Sequence, residues 1–205
     1  MANYFEELRS ASLALENDRN LSITSDMLLR CVINGGKIIT MGNGGSATEA
    51  MHLTEELVGR FKKERQPIAS ICLNSDVGVL TCIANDFGYE KVFSRQIQAL
   101  AKPEDVVVIF TTSGNSQNLF YAMEECEIIK CQTILLTGKS LGICSELAHN
   151  FISIKSEQSS TVQELHVLVL HEWLRHLENN IIKNQEDRKQ KLKKYTEETK
   201  RLLND

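Results

Sequence analysis

The chain has 205 residues, 42% of them hydrophobic and 24% charged, and carries a formal net charge of −4 at pH 7. This length and composition suit one compact domain with a sizeable core and speak against wholesale disorder. The acidic balance speaks against a nucleic-acid binder that works by bulk electrostatics.

No apolar run approaches the ~20 residues of a membrane helix, and residues 1–8 lack the basic-then-apolar order of a secretory signal. The expectation is therefore a cytoplasmic protein with no membrane partner. The six cysteines (Cys31, Cys72, Cys82, Cys126, Cys131 and Cys144) form no CxxC pair. Most lie in apolar stretches, where a reduced thiol behaves as a small hydrophobe, so free thiols in a reducing compartment are expected.

Residues 4–16 and 22–33 carry apolar side chains at helical spacing, so the chain opens with two helices. Asn34-Gly35-Gly36 stops the second. Five short apolar runs follow, at 37–41, 67–73, 105–110, 132–136 and 151–154. The core of the third, Val106-Val107-Val108-Ile109-Phe110, shows no polar alternation, the signature of a strand buried on both faces of a parallel sheet. Strands alternating with helical stretches predict repeated βαβ units and a doubly wound α/β domain.

The last helix proper is expected over 162–182, and composition changes after it. Residues 183–205 hold eight Lys/Arg against five Asp/Glu, a net of +3, which leaves −7 on residues 1–182. Residues 1–182 thus read as a single domain and 183–205 as a charged helical tail. Leu192, Tyr195, Leu202 and Leu203 make a thin apolar stripe on the tail, which suits a solvated helix or packing on a neighbouring subunit.

Two loops carry the chemistry. Gly42-Asn43-Gly44-Gly45-Ser46 follows the first strand and precedes a helical stretch at 47–61. Its glycines let the backbone approach a ligand, and the helix behind it offers unpaired N–H groups to an anion. It is neither a dinucleotide fingerprint, which would need glycine at Ala47, nor a Walker loop, so no nucleotide cofactor is expected. The second loop, Thr111-Thr112-Ser113-Gly114-Asn115-Ser116, precedes a helix at 117–130 and packs four hydroxyls and an amide into six residues. An N-cap needs one hydroxyl. Two such loops at the carboxyl edge of a parallel sheet suit a sugar phosphate.

His52 and Glu56 stand four apart and share a helix face. Gln163 and His171 stand eight apart on a late helix that is otherwise strongly apolar. Periodicity does not choose Glu56 over Glu49, Glu55 or Glu164, nor His171 over His166 or His176.

The motifs resemble those of the sedoheptulose-7-phosphate isomerases (phosphoheptose isomerases) of the sugar isomerase (SIS) fold. Gly42 to Ser46 begins the match, followed by Ala50-Met51-His52 and Glu55-Glu56-Leu57-x-Gly59-Arg60. Ala84-Asn85-Asp86-Phe87-Gly88, Phe93-Ser94-Arg95, Thr112 to Ser116, Leu136-Thr137-Gly138-Lys139 and Gln163-Glu164-x-His166-x4-His171 continue it in order. The resemblance implies a three-layer sandwich of flavodoxin-like order, with a five-stranded parallel sheet flanked by helices. It further implies a homotetramer with active sites at subunit interfaces and a role in heptose supply for lipopolysaccharide or capsule.

It also implies that Asn43, Gly44, Gly45, Ser46, Asn85, Asp86, Thr111, Thr112, Ser113, Ser116 and Gln163 contact substrate, and that Glu56 and His171 transfer protons. His52, Glu56, Gln163 and His171 match a set that binds zinc in some members. The chain departs from the family at Thr111, where serine is usual, and at Ser160-Thr161, where an Asp-Arg pair is frequent. These departures keep open the isomerisation of another ketose phosphate. A non-catalytic SIS domain serving as sensor or binding module is the other reading, against which stand the retained Glu56, Gln163 and His171.

Overall fold

A computed structural model describes residues 2–202, with side chains described for residues 3–183. Helices α1 (Ala2–Glu16) and α2 (Arg19–Ile33) open the chain as their apolar spacing predicts. Asp18 caps α2 by accepting from the Asn20 N–H at 2.9 Å. Then follow β1 (Ile38–Gly42), α3 (Gly45–Val58), β2 (Ser70–Cys72), α4 (Val77–Phe87) and α5 (Ser94–Leu100). The chain continues through β3 (Val106–Phe110), α6 (Gln117–Ile129), β4 (Gln132–Thr137), β5 (Asn150–Ser153) and α7 (Ser159–Leu202). No helix among the described residues is long and apolar enough to cross a membrane.

The five strands form one parallel sheet in the order β2-β1-β3-β4-β5. Side-chain direction alternates along a strand, and here both faces are covered. Val106, Val108 and Phe110 of β3 face one core with residues of α1, α2, α3 and α7, while Val107 and Ile109 face a second with residues of α4, α5 and α6. That double burial is why the β3 run has no polar alternation. Trp173 of α7 is fully buried and donates its indole N–H to Thr24 Oγ1 of α2 at 3.0 Å, so α7 is locked across the first core.

Four elements differ from the sequence-based expectation. The strand expected over 67–73 is only three residues long, because Ile68 turns inward and donates its N–H to Leu57 O at the end of α3. Residues 77–100 form α4 and α5, to which the apolar pattern assigned nothing. Helix α7 runs on without a break past 182 to Leu202, 44 residues or about 66 Å at 1.5 Å per residue. The side chains of the apolar stripe at Leu192, Tyr195, Leu202 and Leu203 lie outside the described residues.

Candidate active site

The sheet order reverses direction between β1 and β3, which are neighbours in register with Gly42 beside Phe110. Ligands in open α/β sheets bind in the crevice beyond the carboxyl ends of the strands at such a switch point. Both hydroxyl- and glycine-rich loops leave the sheet there. Gly42 is required because a Cβ would run into the Ser46 backbone, and Gly44 adopts φ +56°, a conformation that favours glycine. Asn43 bridges the two loops: its amide exchanges two 2.9 Å hydrogen bonds with Asn118 in the first turn of α6, and Tyr89 donates to its Oδ1 at 3.1 Å. The Asn43 side chain is thus committed to holding the loops together.

In the second loop, buried Thr111 accepts the Gly114 N–H at 3.1 Å and Ser113 Oγ accepts the Asn115 N–H at 3.2 Å. These two hydroxyls shape the loop. The hydroxyls of Ser46, Thr112 and Ser116 make no side-chain hydrogen bond among the described residues. Ser116 is the N-cap residue of α6 yet forms no cap bond. Three hydroxyls, at the starts of α3 and α6 and in the loop between β3 and α6, therefore have no internal partner among the described residues, an arrangement that suits an anion. Asn85 and Asp86 lie exposed at the end of α4, where Asn85 Nδ2 donates to Asp86 Oδ1 at 2.7 Å.

Helices α3 and α7 run parallel along a polar seam. Gln163 lies against Gly45 at one end, so closely that a Cβ on Gly45 would overlap its amide. Glu49 and His166 meet in the middle at 3.2 Å. At the far end His52 Nε2 is 3.7 Å from Glu56 Oε1, and the His52 and His171 rings meet edge to face at 5.2 Å. His52, Glu56 and His171 each offer one ligand atom, and these atoms lie within 4.8 Å of one another. Two imidazoles and a carboxylate, half-exposed and convergent, are a donor set that fits a divalent metal with a position left open. Gln163, eight residues or about 12 Å before His171 along the helix axis, stands apart from the trio.

Burial tunes this end of the seam. It raises the Glu56 carboxyl above its ordinary range, with neighbouring Glu55 adding to the shift and His52 opposing it. Burial also lowers His171, helped by the adjacent His52 and by Arg175. The two groups are thus drawn toward each other in proton affinity.

The structure also separates the competing residues. His166 is fully buried on Glu49, and His176 pairs with Asp26 at 3.0 Å. Only His171 of the three shares a wall with Glu56. Glu55 is exposed, and Glu164 accepts from the Tyr4 hydroxyl at 2.5 Å. Sequence reasoning passed over Phe61, which stacks on His171 at 5.4 Å, and the buried pair Arg65 and Glu178. Their only signal was an Arg and a Glu in otherwise ordinary polar runs.

Comparison with known proteins gives the family and agrees with the fold. Residues 3–138 match the family described as the SIS domain. The phosphoheptose isomerase of Geotalea daltonii is 42% identical over 160 residues, which are 78% of this chain and 83% of that one. Among solved structures, a phosphoheptose isomerase from Francisella tularensis superposes with a TM-score of 0.82 at 30% identity, covering 86% of this chain and 95% of the other. One from Neisseria gonorrhoeae gives 0.81 at 31% identity, covering 87% and 96%.

Proposed function

The chain belongs to the SIS-domain family and, within it, to the phosphoheptose isomerases, and on that premise we propose that it interconverts D-sedoheptulose 7-phosphate and D-glycero-D-manno-heptose 7-phosphate. The observation that supports this most is the meeting of Glu56 and His171 on one wall, each shifted by burial in the direction its role needs.

Glu56 takes the carbon-bound proton beside the carbonyl, and His171 gives a proton to the carbonyl oxygen, which yields an enediol. Glu56 then returns its proton to the former carbonyl carbon while His171 takes one from the hydroxyl of the first carbon, which becomes the new carbonyl, and the opposite direction retraces these steps. The free hydroxyls of Ser46, Thr112 and Ser116 and the N-termini of α3 and α6 hold the phosphate, so the reacting carbons are presented in a fixed register. Thr111, Ser113, Gly44 and Gly45 shape that cradle. Asn85 and Asp86 take sugar hydroxyls.

Gly45 and Glu56 are eleven residues apart on α3, about 16 Å along its axis. The phosphate cradle and the acid/base pair of one chain thus stand at opposite ends of the seam. A homotetramer with sites at subunit interfaces would bring the cradle of one copy beside the acid/base pair of another, and this is the assembly we propose. His52, Glu56 and His171 would hold zinc, with Gln163 as fourth donor once its side chain turns from Gly45 toward the trio. Bound there, the ion would supply Lewis-acid polarisation of the carbonyl oxygen in place of the proton that His171, once a ligand, no longer gives.

The decisive experiment is turnover on a panel of C5 to C7 ketose phosphates. Preference for sedoheptulose 7-phosphate supports the proposal, and preference for a shorter sugar would replace the substrate while keeping the reaction. No turnover on any member, together with specific capture of a protein partner, would make the domain a binding module.

A further inference from the structure

Helix α3 ends at Val58, two residues after Glu56, and the last carbonyls of a helix have no partner within it. Arg65 supplies one. Its Nη2 donates to Glu56 O at 2.7 Å, and its Nη1 donates to Leu57 O at 2.9 Å and to Gln66 O at 3.1 Å. The Arg65 side chain is only 1% exposed, and its Nε lies 4.0 Å from Glu178 Oε1 on α7. Glu178 is itself 4% exposed and accepts the backbone N–H groups of Lys62 at 3.2 Å and Lys63 at 2.9 Å.

Glu178 follows His171 by seven residues, about two helical turns, so both lie on one face of α7. The loop between α3 and β2 is pressed onto that face at two points. Glu178 holds the backbone at Lys62 and Lys63, and the neighbouring Phe61 ring stacks on His171 with only 20° between the planes. Arg65 meanwhile grips the carbonyl of Glu56 itself. Burying a guanidinium and a carboxylate carries a large desolvation cost, and Gly59 already closes the helix by donating to Glu55 O at 2.7 Å. A helix stop alone does not account for such a pair.

We propose that Arg65 and Glu178 are positioning residues for the Glu56–His171 pair: Arg65 fixes the end of α3 that carries Glu56, and Glu178 fixes the loop whose Phe61 holds the His171 ring. The catalytic consequence rests on the isomerase reading above; the geometric one does not.

The test uses the full chain with Arg65→Lys, which keeps the charge and loses the fork, and Glu178→Gln, which keeps the shape and loses the charge. Circular dichroism checks folding. Kinetics on sedoheptulose 7-phosphate are read together with the His171 ring proton resonances, assigned by their disappearance in His171→Asn. In each folded variant kcat falls by about tenfold to a hundredfold, because a small misplacement of reacting groups is costly. KM stays within about threefold, because the phosphate cradle is untouched. The His171 resonances shift as the Phe61 ring current over them changes. An unchanged kcat or unmoved resonances in a folded variant overturns the proposal. Should Arg65→Lys fail to fold, Glu178→Gln decides by the same readings. If the wild-type chain turns over no sugar phosphate, the isomerase reading fails by itself, and the resonances alone decide whether Arg65 and Glu178 hold His171.

Discussion

Glu49 of α3 and His166 of α7 meet at 3.2 Å midway along the seam between the two helices, with both side chains shut off from solvent. The contact ties the helix behind the glycine loop to the helix that carries His171. Removing one member of a buried polar pair leaves the other without compensation and costs about 3–5 kcal/mol, whereas replacing both with apolar groups is far milder. His166→Leu and Glu49→Leu are each expected to lower stability in urea by that order, and the double substitution to recover most of it. Additive losses would show that the pair does not interact.

Glu56→Gln keeps the size of the side chain and removes the base. Turnover of sedoheptulose 7-phosphate should fall by about 10²–10⁴-fold, the usual contribution of a positioned acid or base. Substrate affinity measured by calorimetry should hold, because the phosphate cradle lies at the other end of α3. Wild-type turnover in this variant would remove Glu56 from the mechanism.

The pH profile follows from the two shifts. Glu56 must be ionised to accept a proton, and its raised carboxyl pKa moves the acidic limb of kcat/KM to higher pH than an ordinary glutamate gives. His171 must be protonated to donate, and its lowered pKa moves the basic limb below the ordinary histidine value. The bell should therefore be narrow and confined to mildly acidic pH. Substituting Glu55 with Gln removes one cause of the Glu56 shift and should move the acidic limb downward. A broad plateau extending well above neutrality would contradict this assignment of roles.

Much of this was legible in the chain. The unbroken apolar run at Val106 to Phe110 announced a strand covered on both faces, and both loops at the switch point were readable as glycine and hydroxyl clusters before helices. The pairing of His52 with Glu56 follows from a spacing of four. Periodicity did not separate His171 from His166 and His176, a choice that came only through the family resemblance, because all three sit on one helix and only the packing of α3 and α2 against it decides which carboxylate each one meets. Helix α4 escaped notice because its Val-rich start, Val77 to Val79, carries no helical periodicity, and its helix start rests on one cap, Asp76 accepting from the Val79 N–H at 3.0 Å. The Arg65–Glu178 pair spans more than a hundred residues of chain, so no local pattern could reveal it.

The hydroxyls of the second loop divide into two classes with different outcomes. Thr111→Val leaves the Gly114 N–H buried without an acceptor and should cost about 1–3 kcal/mol of stability in urea unfolding. Ser116→Ala disturbs no internal bond, so stability should hold while KM rises about tenfold or more through the loss of a hydrogen bond to a charged phosphate. A variant at Ser116 that loses stability and keeps its KM would reverse the two assignments.

Metal binding provides the remaining test of the seam. Protein stripped with a chelator and titrated with zinc should bind one ion per chain, and His52→Ala should weaken that affinity by at least about tenfold, since even the outer partners of a metal site are worth that much. Thiols are the main competitors for zinc. Burial pushes the Cys31 and Cys144 thiols up to about 11, so they stay protonated and poor ligands at neutral pH. Cys82 is exposed, and the titration belongs in a Cys82→Ser background. Gln163→Ala then asks whether the amide leaves Gly45 to complete the site. A clear loss of affinity makes it the fourth donor; an unchanged affinity leaves it as packing for the first turn of α3. Binding that survives His52→Ala intact would place the ion elsewhere and remove it from the chemistry of Glu56 and His171.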